Sequence, residues 1–243
     1  MKIAVIGGTG FVGSRLVDRL RAADHEVAAH GRSSGLDLQS GEGLQEALGS
    51  ADVVVDTIDA PGFDGTASAF FRVTTENLLQ AAERAGIGHV VLLSIVGIDR
   101  VPDVAYYRAK VLQEALVVEG PIPYSIVRAT QFMEFIDKIV GWTSDGSTVR
   151  LPTTRLQPVA VAEVVDTLAD VAIGPPLNGT ISVAGPDVFP LDELGRLTLR
   201  VRDDRRSVVT DESAGLFAAV PTEAIIAPAD ARIGSIRYTD WLG

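Results

Sequence analysis

Ser94, Tyr106 and Lys110 are the side chains of this sequence whose types and spacing suit proton transfer at a carbonyl or alcohol oxygen. Lys110 stands four residues beyond Tyr106, so a helix over residues 104–118 places phenol and ammonium on one face. A phenol titrates near about 10 and is a poor proton carrier at neutral pH, whereas a neighbouring cation favours phenolate and brings exchange into range. Ser94 ends a buried strand twelve residues before Tyr106 and is placed to donate a hydrogen bond to the reacting oxygen. Tyr107, three residues from Lys110, also reaches that face, and the sequence leaves open which phenol faces the reaction. Packing tyrosines, a surface lysine and a strand-end serine form the plain structural alternative.

A proton site of this kind needs a redox partner, and the chain offers a place for one. Gly7-Gly8-Thr9-Gly10-Phe11-Val12-Gly13 follows the apolar run 2–6 and precedes an amphipathic stretch through Leu20. Glycines let the backbone turn tightly at a strand end, and the unpaired amides of the following helix attract a pyrophosphate. Gly7, Thr9, Gly10, Phe11, Val12 and Gly13 are therefore read as dinucleotide contacts; a turn without a ligand is the bland alternative.

The second strand runs into His30-Gly31-Arg32-Ser33-Ser34 without the acidic residue that NAD-selective sites commonly place there. Arg32, assisted by Ser33, suits charge-assisted bonds to a 2′-phosphate, so NADP(H) is the preferred cofactor and NAD(H) the alternative. An ordinary solvated arginine is the competing account. Thr57 and Ile58, just past the strand ending at Asp56, line the cofactor cleft at the sheet's C-terminal edge. Ala129, Thr130, Gln131 and Phe132 follow a strand whose end is expected to face the nicotinamide, with Phe132, Phe135 and Trp142 as an apolar substrate wall or as core.

The elements that must position these residues follow from periodicity. Near-continuous Val, Ile and Leu at 3–6, 26–30, 52–56, 89–94 and 124–128 predict strands buried on both faces. Between them, residues 11–21, 43–48, 63–85 and 104–118 read as helices. The expected fold is α/β, a doubly wound Rossmann-like parallel sheet with a small C-terminal substrate lobe. Beyond Arg128 the pattern predicts helices at 131–142 and 162–172, a turn at 145–146, and an exposed loop or strand edge at 200–213. Residues 1–243 are expected to form one integrated domain, with 129–243 supplying the substrate lobe. Asn77 lies inside the helix 63–85 and is expected to face solvent or to hydrogen-bond a neighbouring helix.

At 243 residues and 47% hydrophobic content the chain is long enough for such a domain. A net charge of -11 argues against a phosphate-tracking surface, so no nucleic-acid partner is expected. Cysteine is absent, which removes thiolate catalysis and disulfides and fits a reducing, cytoplasmic setting. His25, His30 and His89 are too scattered for a metal site, and no metal is expected. No signal-peptide pattern opens the sequence, and the apolar stretch 90–98 is interrupted by Ser94 and Gly97, so no membrane association is expected.

Taken together, the glycine turn, Leu93-Ser94-Ile95-Val96-Gly97, Tyr106-Tyr107-Arg108-Ala109-Lys110, Val127-Arg128-Ala129-Thr130-Gln131-Phe132 and the terminal Trp241-Leu242 resemble the atypical short-chain dehydrogenase/reductase superfamily, specifically its NmrA-like members. The resemblance spans nearly the whole sequence. It implies an NAD(P)-binding Rossmann fold in which Tyr106 is the acid/base, Lys110 holds the nicotinamide ribose and lowers the Tyr106 pKa, and Ser94 orients the substrate oxygen. It also implies adenine contacts from Asp37 and Leu38, although the helix that usually precedes them is missing here. The function expected is NADPH-dependent hydride transfer to a small carbonyl substrate. Two alternatives stand beside it: a non-catalytic dinucleotide-sensing regulator acting on a protein partner, and an NAD-dependent epimerase or dehydratase.

Overall fold

The computed structural model of the protein describes residues 1–62 and 65–243. In chain order the elements that matter first are β1 (Lys2–Ile6), α1 (Phe11–Arg21), β2 (Glu26–His30), α2 (Leu44–Leu48), β3 (Val53–Asp56), α3 (Thr66–Ala85), β4 (His89–Ile95), α4 (Ala105–Glu119) and β5 (Tyr124–Ala129). There follow α5 (Ile136–Trp142), β6 (Ser144–Asp145), β7 (Thr148–Leu151), β8 (Arg155–Leu156), α6 (Val161–Ile173), β9 (Gly179–Ala184), β10 (Phe189–Pro190), α7 (Leu191–Val201), β11 (Ser207–Thr210), β12 (Arg232–Ile233) and α8 (Tyr238–Leu242). Seven strands form the central parallel sheet in the order β12-β9-β5-β4-β3-β1-β2. This is the doubly wound α/β fold expected of the sequence.

Two compact units are distinguished, one of residues 1–94, 105–128 and 164–181, the other of 95–104, 129–163 and 182–243. In the first, β1 pairs in parallel with β2 on one side and β3 on the other, Ile3 opposite both Val27 and Val53. All four residues of β3 are buried, as a strand covered on both faces must be. α1 turns Val12, Leu16, Val17 and Leu20 inward while its charged residues stay out. α3 ends on Gly86, whose left-handed φ of 72° closes the last turn. Of the helix expected over 63–85, Phe63 and Asp64 lie outside the described residues. Between β2 and Asp37 a 3-10 turn at Arg32–Ser34 stands where the usual helix is missing, and an Asp37–Glu42 bridge then leads into α2, the helix expected over 43–48.

In the second unit the helix expected over 131–142 is shorter than the periodicity suggested. Gln131 and Phe132 are extended and pair with Val159, the Val159 amide donating to the Gln131 carbonyl at 2.9 Å, so only a 3-10 turn at Met133–Phe135 and α5 remain helical. The charged segment 200–213 contains β11, the outer strand of a three-stranded sheet, running parallel to β7. Arg206 binds both oxygens of Asp204 just before it, which explains the mixed charges as a local ion pair. Among the described residues no helix is long and apolar enough to cross a membrane.

Candidate active site

The glycine turn has the shape a dinucleotide requires. Gly7 holds a left-handed φ of 78°, and the Gly10 amide donates to the Gly7 carbonyl at 2.8 Å. A Cβ on Gly13 would stand 2.2 Å from that same carbonyl oxygen, so only glycine lets α1 start this close to the turn. Gly10 caps α1 with no side-chain hydrogen bond, and no acidic residue sits in its first turn. That leaves the helix start receptive to an anion. The Thr57 hydroxyl donates to the Ile6 carbonyl at 2.9 Å and lies against the Gly7 and Gly13 positions, so Thr57 shapes the turn with its hydroxyl already engaged.

Beyond β2, Arg32 and Ser33 are exposed on the 3-10 turn, which Ser34 ties down through bonds to the Gly31 amide and carbonyl. Asp37 uses one carboxylate oxygen on the Gln39 amide at 2.8 Å; this bond, with help from Ser40 and the Arg32 charge, holds its pKa below the usual value. Leu38 and Ile58 pack against the core cluster built on Ala4, Ile6 and Leu36. Asn77 neither faces solvent nor bonds a helix: its amide donates to the carbonyls of Leu38 and Gln39 at 2.9 and 3.0 Å, pinning this loop to α3.

On α4, Tyr106 and Lys110 share a face and both meet the fully buried ring of Phe71. The Tyr106 ring stands edge-on to it at 6.2 Å and the Lys110 ammonium lies 4.9 Å from its centroid. Tyr106 thus shares Lys110's contact with Phe71, and the Tyr107 ring lies 6.4 Å from that of Tyr106. Lys110 donates to the Leu93 carbonyl at 2.9 Å, which ties it to the residue preceding Ser94. The Ser94 hydroxyl is buried with no hydrogen-bond partner among the described residues, a state that costs free energy until a ligand supplies one.

The expectation that Lys110 lowers the Tyr106 pKa is not met. Burial pushes the phenol well above its ordinary value, and the Asp59 carboxylate, which accepts a hydrogen bond from Tyr106 Oη, pushes it further. Tyr107 is pushed up to about 12 by burial. The Lys110 ammonium is committed elsewhere. It donates to the Gln113 amide oxygen at 2.5 Å, and the Gln113 amide nitrogen donates to Asp56 Oδ2 at 3.1 Å. Burial lowers the Lys110 pKa, opposed by the charges of Asp56, Asp59 and Glu114. Burial raises Asp56 to about 6, opposed by the Ile58 amide, Lys110 and Gln113.

Sequence reasoning missed Asp59, Gln113, Asp56 and Phe71. Gln113 carried a signal, three residues beyond Lys110 on the same helix face, and Asp59 another, an acid directly after Thr57-Ile58 at a strand end. In the second unit, Ala129 accepts from the Val96 amide, and the Thr130 hydroxyl is spent on the Gln157 carbonyl at 2.5 Å. Gln131 accepts from the Gln157 amide while its own amide nitrogen is buried without a partner among the described residues. Phe132 and Phe135 pair at 5.4 Å between ring centroids and are half-buried. Trp142 is 52% exposed.

A family model described as NAD(P)H-binding matches residues 35–171, a span that holds Ser94, Tyr106 and Lys110. The chain belongs to this NAD(P)H-binding family. Its ligand class is thus a nicotinamide dinucleotide. The photosystem II assembly factor Ycf39 of Synechocystis is 28% identical over 151 residues, which cover 55% of this chain and 46% of that protein. The chain thus matches about half the length of this curated relative. Among solved structures, a nucleoside-diphosphate-sugar epimerase from Staphylococcus aureus superposes with a TM-score of 0.77 at 14% identity, covering 100% of this chain and 99% of its own. UDP-glucose 4-epimerase from Thermus thermophilus, complexed with NAD, gives 0.71 at 18% identity with 89% and 88% covered. The dTDP-4-dehydrorhamnose reductase of Bacillus anthracis, in complex with NADP, gives 0.69 at 15% with 100% and 92% covered. At these identities the structural likeness speaks for the NAD(P)H-binding family's fold.

Proposed function

We propose that this NAD(P)H-binding protein is an NADPH-dependent oxidoreductase that reduces a small carbonyl substrate, with Tyr106 supplying the proton. The observation that carries the reading is the Lys110 bond to the Leu93 carbonyl, which gathers Ser94 and the Tyr106–Lys110 face of α4 around one buried point. Ser94, Lys110 and Tyr106 are 2%, 4% and 7% exposed, so bulk water is kept from all three. The Gly7–Gly13 turn suits a dinucleotide, because the start of α1 follows it closely with no side-chain cap and no acidic residue in its first turn to repel a diphosphate. The turn and the start of α1 would hold the diphosphate, Arg32 and Ser33 a 2′-phosphate, and Asp37 with Leu38 the adenine.

When bound, the reduced dinucleotide supplies a hydride. Ser94 donates its unpartnered hydroxyl to the carbonyl oxygen and polarises it. Tyr106 gives that oxygen a proton as negative charge develops there. Lys110 has three N–H donors, of which Leu93 and Gln113 engage two; the third would serve a ribose hydroxyl of the bound dinucleotide.

A second reading is a dinucleotide-sensing regulator that binds cofactor and changes its grip on a protein partner. The raised Tyr106 pKa and the engagement of Lys110 in an internal network favour it. That the Synechocystis relative is named an assembly factor also fits. Tyr106→Phe separates the two readings. An oxidoreductase keeps its NADPH affinity and loses about 100-fold or more of its turnover over a panel of small ketones and aldehydes. Tight NADPH binding with no consumption by the parent over that panel overturns catalysis in favour of the regulator.

A further inference from the structure

We propose that Asp59 is a member of the acid–base assembly, a carboxylate that exchanges the Tyr106 proton with solvent so that the phenol relays protons without dwelling as phenolate. The proposal rests on the oxidoreductase reading above. Tyr106 is almost fully buried, whereas Asp59 is exposed in the loop just past β3, and the hydrogen bond from Tyr106 Oη to Asp59 Oδ1 joins the two. The same Oδ1 accepts the Ala60 amide at 2.8 Å, which fixes the carboxylate's orientation, while Oδ2 has no hydrogen-bond partner among the described residues. Tyr106 is thus wired to water through a side chain that takes up and releases protons.

The direction of the bond matters. With its O–H donated to Asp59 Oδ1, Tyr106 Oη presents only lone pairs to any other group. To protonate a substrate oxygen it must hand over that proton and receive one from the carboxyl. In carbonyl reduction the carbon takes a hydride from the reduced nicotinamide. The Tyr106 O–H bond breaks as the new O–H bond forms on the substrate, and the Asp59 carboxyl proton moves to Oη. Water then reprotonates Asp59. One hydride and one solvent proton are consumed per carbonyl, and the phenol begins and ends neutral. Alcohol oxidation is the reverse, with ionised Asp59 receiving the proton. Burial makes a lasting phenolate costly, and this route does not require one.

The groups facing this pair among the described residues are Tyr107 and Lys110 on α4, with Asp56 at the end of β3 and Glu114 on α4 both acting on Lys110; α3 contributes the uncharged Phe71 ring. None of them hydrogen-bonds Asp59, so the Asp59–Tyr106 bond is the coupling to test.

The decisive measurement is the 13C resonance of the Tyr106 ring carbon bearing oxygen, assigned by its loss in Tyr106→Phe. From about pH 3 to about pH 7, where carboxylates take up protons, it shows a titration step in the parent that Asp59→Asn lacks and Asp59→Glu restores. An absent step in the parent, or an unchanged one in Asp59→Asn, overturns the proposal whether or not any turnover is found. Where the parent turns over, Asp59→Asn loses about 100-fold or more in kcat while its NADPH affinity stays within about threefold, and Asp59→Glu regains part of the loss. Full kcat in Asp59→Asn overturns the relay and leaves the oxidoreductase reading standing. Parent protein that shows the step but consumes no NADPH fails that reading instead, and the relay's catalytic role falls with it.

Discussion

The Lys110 ammonium and the Asp56 carboxylate do not touch; Gln113 stands between them, its amide oxygen 2.5 Å from the one and its amide nitrogen 3.1 Å from the other. A buried cation and a buried anion are thereby bridged by one neutral side chain whose orientation both charges dictate. The arrangement locks the Lys110 face of α4 to the end of β3 and makes a prediction about acid.

Asp56 is raised from 3.8 to about 6, chiefly by burial. Between those values the folded chain holds a proton that the unfolded chain has released. The contribution to stability is complete below the unfolded value and is lost as pH rises through about 6, an effect of about 3 kcal/mol. Asp56→Asn removes this linkage. Urea unfolding from about pH 4 to about pH 7 is expected to show parent stability declining relative to Asp56→Asn. Parallel curves refute the assignment.

Arg128 offers a second test. Its guanidinium grips both oxygens of Glu114 at 2.9 and 2.6 Å, and the two side chains are only 20% and 9% exposed. Arg128→Met strands a buried carboxylate and is expected to cost about 3–5 kcal/mol, whereas adding Glu114→Leu removes the stranded charge and recovers most of the loss. Chemical denaturation of the parent, the single variant and the double variant measures it. A double variant no better than the single one shows that the guanidinium's packing, not the pair, is what the fold uses.

Strands β1 to β5 were legible because they are apolar runs bounded by glycine-bearing turns, signals that are local in sequence, whereas the half-buried β9 and the two-residue β12 carry no such run and were missed. The Tyr106–Lys110 face was legible for the same reason, since a four-residue spacing on a helix is local geometry. What escaped was contact between distant segments. Asp59 meets Tyr106 across 47 residues and Gln113 meets Asp56 across 57, and no periodicity records such a pairing. The error over the Tyr106 pKa has this origin: the cation was visible in the sequence, while the carboxylate that outweighs it and the burial of both were not. The helix expected at Gln131 failed similarly, because pairing with Val159 overrode a helical pattern.

Asn77 turns such a distant contact into a local prediction. Its amide holds the carbonyls of both Leu38 and Gln39. Asn77→Ala is expected to lose about 1–2 kcal/mol and to speed amide hydrogen exchange over residues 37–43. Asn77→Asp is expected to be worse, since an ionised carboxylate offers those carbonyls no donor. Exchange unchanged in both variants shows the loop is held by its own Asp37 turn instead.

Cofactor preference hangs on a balance between two exposed charges on one loop. The Arg32 side chain makes no hydrogen bond among the described residues and acts through its charge on Asp37, whose pKa is lowered chiefly by the bond from the Gln39 amide. A 2′-phosphate arriving here meets one cation and one anion. With Arg32 in place the guanidinium is expected to form charge-assisted bonds and NADPH to bind more tightly than NADH. Arg32→Ala removes the cation and leaves Asp37 unopposed, so NADPH affinity is expected to fall by about 10-fold to 100-fold while NADH affinity holds or improves. Asp37→Asn relieves the anion and is expected to strengthen NADPH binding in the Arg32→Ala background, a reversal that a purely structural loop defect would not produce. Paired fluorescence titrations with both nucleotides read all three proteins, and a parent that binds NADH as tightly as NADPH removes Arg32 from the account.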